Sequence, residues 1–310
     1  MDTLAVLLRE PEKLELSRLA LDLPTDSDVV VDIEWSGIST GTERLLWSGR
    51  MPHFPGMGYP LVPGYESVGV ITAAGVASGH AVGSRVFVPG ARCFGDVRGL
   101  FGGAAARLVV PGARATRLAD GLERDGVLLA LAGTAQHALA GHDLPELIVG
   151  HGVLGRLLAR LVVAHGGAPT VWETQADRRT DARGYRVIDP ADDARQDYRG
   201  IVDVSGDSSL LEKLILRLAP RHEIVLAGFY SERLSFPFPA AFMREARIRV
   251  AAEWQPDDLA TVSTMLAEGR LALDGLITHS GRPADVNDVY RTAFTDPACL
   301  KMVLDWRLPA

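Results

Sequence analysis

The stretch Leu147-Ile148-Val149-Gly150-His151-Gly152-Val153-Leu154-Gly155-Arg156 constrains the fold more than any other: a β-type apolar run enters a G-x-G-x-x-G turn and leaves as an amphipathic helix. Gly150 permits the tight turn, Gly152 the close approach of backbone to a pyrophosphate, and Gly155 close packing of helix on strand. The helix start then offers N–H groups to the anion. A second strand, Val171-Trp172-Glu173, ends in an acid 23 positions after Gly150, near the spacing of about 20 expected for a carboxylate on the adenosine ribose. Together these predict a nicotinamide or flavin dinucleotide. Glu173 would accept both ribose hydroxyls and repel a 2′-phosphate, which favours NAD over NADP. Arg178 and Arg179 follow closely and read either as a phosphate clamp or as a solvated helix start. Ser205-Gly206 and Gly228-Phe229 end later strands and are expected at the nicotinamide half.

The chain has 310 residues, enough for two domains, and its 47% hydrophobic and 23% charged composition is that of a globular protein. A net charge of −7 with scattered arginines gives no general attraction for nucleic acid. The N-terminus lacks a basic leader and no run approaches the roughly 18 apolar residues of a membrane span, so a cytoplasmic protein is expected. Cys93 and Cys299 are far apart and form neither a disulfide framework nor a C-x-x-C site.

Residues 1–118 read as short strands separated by Gly and Pro, among them 28–34, 67–72, 85–88 and 106–110, the spacing of an all-β barrel-like module. From 119 to 277 helix and strand patterns alternate: helix 128–140, strand 147–149, helix 154–164, strand 170–173, strand 201–204, helix 210–218 and strand 223–227. That series predicts a doubly wound parallel sheet. The last segment, 278–310, reads as a helix and a strand that return to the first module.

Two further motifs carry a resemblance. Gly64-Tyr65-Glu66-Ser67-Val68-Gly69-Val70 with Gly83-Ser84-Arg85-Val86, and Ser36-Gly37-Ile38-Ser39-Thr40-Gly41-Thr42-Glu43, resemble the G-H-E-x-x-G-x-V, G-D-R-V and C-G-x-C-G-T-D signatures of medium-chain dehydrogenases and reductases. The resemblance covers essentially the whole chain and implies an α/β protein with a GroES-like catalytic domain (1–118 with 278–310) and a Rossmann domain (119–277). The segments 37–43, 47–49, 52–69, 148–160, 251–256 and 301–306 are similar to the bacteriochlorophyllide dehydrogenase branch of that superfamily. This similarity implies oxidation of a 3-hydroxyethyl group to 3-acetyl on a tetrapyrrole with NAD; whether the chain forms a homo-oligomer, or works at the photosynthetic membrane, stays open at this point. The implied cofactor residues are Thr134, Gly150, His151, Gly152, Leu154, Gly155, Glu173 and Ser205.

At the positions matching the superfamily's zinc ligands stand Ser39, Tyr65 and Ala130, and Glu66 alone remains of that set. No metal is therefore expected, and the alcohol proton must pass to side chains. Thr42 matches the superfamily's proton-relay hydroxyl. Thr42, Tyr65 and Glu66 are the expected alcohol-binding and proton-transfer group; the alternatives are packing for Thr42, an arginine pair for Glu66 and a pocket wall for Tyr65. His53 and His137 read either as bases or as structural histidines, and His151 as a neighbour of the pyrophosphate. Trp47, Met51, Phe54, Met57, Tyr59, Phe94 and Phe101 offer apolar surface for a macrocycle or ordinary loop packing, with Arg92 or Arg98 as partners for its propionate. Two rival functions share the pattern: a zinc-free quinone or enone reductase, which Glu173 disfavours because such enzymes use NADPH, and a dinucleotide-binding scaffold without turnover.

Overall fold

The computed structural model describes residues 1–308 and divides the chain into two units, Met1–Ala130 with Asp274–Ala310, and Leu131–Leu273. The first unit begins with β1 (Asp2–Glu10), β2 (Lys13–Ala20) and β3 (Asp28–Ile38), followed by the single-turn helix α1 (Thr42–Trp47). Next come β4 (Leu61–Val62), β5 (Ser67–Ala74), β6 (Arg85–Val88), β7 (Arg98–Gly99), β8 (Arg107–Pro111) and β9 (Thr116–Arg117). Helix α2 (Leu129–Leu139) leads into the second unit, which holds β10 (Leu147–Val149), α3 (Val153–Ala164), β11 (Thr170–Trp172), β12 (Arg186–Ile188) and β13 (Ile201–Asp203). It continues through α4 (Leu211–Arg217), β14 (Glu223–Leu226), α5 (Phe238–Arg244), β15 (Arg247–Val250) and α6 (Pro256–Ala267). The chain then returns with β16 (His279–Gly281), α7 (Val286–Thr295) and β17 (Met302–Asp305).

The sheets of the first unit run β2-β1-β4-β7 and β16-β17-β3-β5-β6-β9, with β8 paired to β3. β3 is long enough to serve several partners: β5 along one edge, and along the other β8 through 28–32 and β17 through 35–38. That last pairing carries the C-terminal segment to the end of β3, where the polar residues of the site begin. The inward faces supply two apolar clusters, one around Val29, Val31, Ile71 and Leu108, the other around Leu46, Leu61, Tyr290 and Leu304.

The second unit is a six-stranded parallel sheet in the order β12-β11-β10-β13-β14-β15. Leu147, Ile148 and Val149 of β10 are all buried, as a central parallel strand covered on both faces requires. Strand order reverses beside β10, so the turn after it opens at the switch point where such sheets bind ligands. Pro256 opens α6, and Gln255 and Asp258 close a capping box over its first turn. Among the described residues no helix is long and apolar enough to cross a membrane.

Candidate active site and cofactor cradle

The first unit gathers a buried polar cluster where β3, α1, the start of β5 and the start of β17 meet. The Gly37 N–H donates to Glu66 O at 2.7 Å, fixing the end of β3 against the Tyr65-Glu66 segment. A Cβ on Gly37 would lie 2.1 Å from Glu66 Oε2, so glycine is what admits the carboxylate here. Tyr65 Oη donates to Ser39 Oγ at 2.8 Å, and Ser39 Oγ also accepts the Thr42 N–H at 3.3 Å. The Thr42 side chain bonds the same phenol. Burial, reinforced by the Glu66 carboxylate, pushes the Tyr65 phenol well above its ordinary range, which keeps it a neutral donor. The structure thus brings Thr42, Tyr65 and Glu66 together with Ser39.

Three residues of this cluster were not singled out from sequence. Glu43, 1% exposed, accepts the Ser39 N–H at 2.9 Å and the Tyr290 hydroxyl at 3.0 Å. Burial raises its carboxyl to about 8 against the pull of the Ser39 hydrogen bond, and Glu66 adds to the rise. Lys301 Nζ, also buried, donates to Glu66 Oε2 at 2.6 Å and to Ile38 O at 3.3 Å. Glu66 Oε1 is buried with no hydrogen-bond partner among the described residues. The available signal for Lys301 was a lone cation inside the apolar run Leu300-Lys301-Met302-Val303-Leu304. Tyr290 carried none, because its contact with Glu43 spans 247 positions, and Glu43 stood in the motif 36–43 with nothing local to mark it as buried.

The other candidates scatter. His53 lies exposed in the loop after α1. His137 belongs to the second unit, where its Nδ1 meets Asp258 Oδ2 at 2.8 Å and ties α2 to the first turn of α6. Trp47, Phe54, Met57, Tyr59 and Phe101 are half-buried around one apolar cluster that includes the buried Met51, and the Phe101 ring meets Tyr65 edge-on at 5.4 Å. Phe94 departs from the expectation: it is packed into the other apolar cluster, 4% exposed, because its loop folds back over the sheet core. Arg92 and Arg98 are exposed.

The second unit carries the glycine turn. The Gly150 N–H donates to Trp172 O at 2.9 Å, and Gly150 sits at φ +102°, open to glycine. A Cβ on Gly155 would come within 1.9 Å of Gly150 O, so α3 packs against the turn only without one. Gly152, the N-cap of α3, has nothing within 4 Å of its Cβ position, and no side chain caps the helix start. That open, amide-lined concavity fits the pyrophosphate of a dinucleotide. Leu154 follows, half-buried in the first turn of α3.

Glu173 accepts the His151 N–H at 3.2 Å and the Gln175 N–H at 2.9 Å, which fixes its carboxylate at the mouth of the turn with lone pairs to spare for ribose hydroxyls. The His151 ring faces away from the turn: Nδ1 bonds Arg178 O at 2.7 Å and Nε2 the Tyr185 hydroxyl at 2.9 Å. A carbonyl only accepts, so Nδ1 carries the proton, and burial lowers the ring to about 4, leaving it neutral. Arg179 is engaged by Asp189 at 2.9 Å. Ser205 donates through both N–H and Oγ to Asp203 at the end of β13, and Thr134 is half-buried on α2.

These residues do not fit a catalytic zinc. Such a site needs three protein ligands of Cys, His or carboxylate type. Here a serine hydroxyl and a protonated phenol hydrogen-bond each other, the remaining carboxylate is taken by an ammonium, and no three His, Cys, Asp or Glu converge among the described residues.

Comparison with known proteins defines the class first. Residues 25–120 match the alcohol dehydrogenase GroES-like domain. The fold superposes on acetophenone reductase from Geotrichum candidum, solved with NAD, with a TM-score of 0.84 at 19% identity over 98% of this chain and 97% of that one. The chain is 56% identical to 2-desacetyl-2-hydroxyethyl bacteriochlorophyllide A dehydrogenase of Cereibacter sphaeroides over 100% of both. It is 54% identical to the protein of that name from Rhodobacter capsulatus over 99% of both. The chain belongs to the 2-desacetyl-2-hydroxyethyl bacteriochlorophyllide A dehydrogenase family, within the medium-chain dehydrogenase superfamily.

Proposed function

We propose that this chain oxidises the hydroxyethyl side chain of a bacteriochlorophyllide to an acetyl group, with NAD as hydride acceptor. The observation that carries the proposal is 56% identity, over the full length of both chains, with a dehydrogenase of that name. No observation favours an enone reductase or a silent scaffold.

The chemistry follows from the residues. Oxidation removes a hydride from the carbinol carbon and a proton from its oxygen. The glycine turn and Glu173 would hold NAD, which would supply the hydride acceptor. Tyr65 and Thr42 hold the hydroxyl by hydrogen bonds, and its proton enters the Tyr65–Ser39 hydroxyl pair, with the carboxylate of the adjoining Glu66 as final acceptor. A metal would make the hydroxyl more acidic, but the cluster offers no ligand set for one. The half-buried aromatics from Trp47 to Phe101 supply apolar surface for a flat macrocycle.

Glu173 and the engagement of Arg179 by Asp189 support NAD over NADP, since neither leaves a welcome for a 2′-phosphate. The chain acts in the cytoplasm and takes its greasy substrate from the photosynthetic membrane surface. A homo-oligomer is supported by apolar side chains left exposed on the edge strand β15, Val250, and on α5, Phe238, Phe242 and Met243. Deleting the gene in a bacteriochlorophyll-producing cell tests the reaction: the hydroxyethyl pigment accumulates if the proposal holds, and normal acetyl pigment contradicts it.

A further inference from the structure

The buried cation of the first unit has no place in the chemistry described so far. Only three lysines occur in the chain, and Lys301 is the one that is buried, with 1% of its surface exposed. Its Nζ bridges Glu66 Oε2 at 2.6 Å and Ile38 O at 3.3 Å. Glu66 and Ile38 are the chain neighbours of Tyr65 and Ser39, the two residues joined by the 2.8 Å hydroxyl–hydroxyl bond. The ammonium therefore ties together, from behind, the two segments that carry the alcohol-binding hydroxyls.

A buried ion pair seldom adds stability over apolar residues of the same size, because desolvation offsets the attraction. This pair also lies among further titratable groups: Glu43 and Tyr290 from α1 and α7, Tyr65 from the segment before β5. Of the two buried acids, Glu43 keeps its proton, and Glu66 alone holds the ammonium. Lys301 takes Oε2 and leaves Oε1 as the open acceptor.

We propose that the Lys301 ammonium is the fixed cation of this site, supplying the positive charge that a metal ion would otherwise bring and positioning Glu66 with Oε1 open to the transferred proton. Lys301 touches neither substrate nor cofactor in this account; it acts through Glu66. A compact point charge suits that place better than a planar fork, since one ammonium meets a carboxylate and a backbone carbonyl at once. The catalytic half of the proposal rests on the alcohol-oxidation reading. The charge half stands on the geometry alone.

The test has two arms on the full chain. In the first, lysine labelled with 15N gives three side-chain signals, assigned by their loss in Lys301→Met, Lys13→Arg and Lys213→Arg. The proposal expects Lys301 to show an ammonium signal protected from exchange at neutral pH, and a neutral amine there overturns it whatever the enzyme's activity. In the second, once wild-type turnover is established, Lys301→Met is expected to lose about a hundredfold in kcat with NAD binding unchanged, and Lys301→Arg to recover part of the loss. A Lys301→Met enzyme within about twofold of wild type, with the same pH–rate profile, overturns the positioning role. If Lys301→Met does not fold, the protected signal and the kcat of Lys301→Arg, expected between wild type and a hundredth of it, still decide. Absence of wild-type turnover refutes the alcohol reading and leaves the first arm intact.

Discussion

Glu43 and Tyr290 are joined by a 3.0 Å hydrogen bond across 247 positions of sequence, linking the first turn of α1 to α7 in the interior of the first unit. The bond places a carboxyl deep inside the protein, and burial lifts it to about 8.

That lift has a signed consequence for stability. The folded chain retains a proton on Glu43 that the unfolded chain, with an ordinary carboxylate near 4.5, has already released. Stability therefore falls as pH rises from about 4.5 through about 8 and levels off above. Glu43→Gln, whose amide can accept from Ser39 and donate to Tyr290, is expected to flatten this slope. Calorimetry at pH 5 and pH 8.5 should show a Tm gain of at least about 2 °C for the variant at the higher pH only; equal shifts at both would count against the buried-acid account.

Tyr65→Phe removes the hydroxyl that meets Ser39 and leaves the ring against Phe101. NAD affinity should be unchanged, because the cradle belongs to the second unit, while kcat falls between about tenfold and a hundredfold. Steady-state rates together with fluorescence titration of NADH separate the two. Full turnover would remove Tyr65 from the proton path.

The open space at Gly152 yields a prediction about the cofactor alone. A Cβ there meets nothing in the protein, so Gly152→Ala should fold with an unchanged Tm. The methyl enters the volume assigned to the pyrophosphate, and NAD binding should weaken by at least about tenfold, or roughly 1.4 kcal/mol. Calorimetric titration decides; undiminished affinity would move the pyrophosphate elsewhere.

Neither His53 nor His137 belongs to the polar cluster. The double variant His53→Ala, His137→Ala should keep the wild-type pH–rate profile while its Tm drops by about 2–4 °C, the cost of one lost hydrogen bond between α2 and α6. An acid limb displaced by the double substitution would restore a histidine base.

Much of this was legible in the sequence because it is written in local pattern. The run from Leu147 to Arg156 announces strand, turn and helix within one short segment, and buried parallel strands such as Ile201-Val202-Asp203 stand out as apolar runs. The edge strands β12 and β15 were not legible: Arg186 and Arg247-Ile248-Arg249-Val250 carry charges toward solvent and so lack the continuous apolar signature. The candidate site divides in the same way. Thr42, Tyr65 and Glu66 lie in two recognisable motifs, whereas Tyr290 and Lys301 join them only through contacts that cross more than two hundred residues, and Glu43, although it closes one of those motifs, shows its role only through its bonds to Ser39 and Tyr290. The His151 side chain could not be placed from its position in the glycine turn, because its orientation is set by Arg178 O and the Tyr185 hydroxyl some thirty residues on.

On the proposed function, an alcohol is oxidised by NAD in a site whose charges come from side chains. Protein dialysed against a chelator, shown by elemental analysis to hold no stoichiometric zinc, and mixed with NAD and the hydroxyethyl bacteriochlorophyllide measures this most directly. One NADH per acetyl pigment formed is expected, at the rate of untreated protein. Turnover that disappears on chelation and returns with added zinc would contradict it.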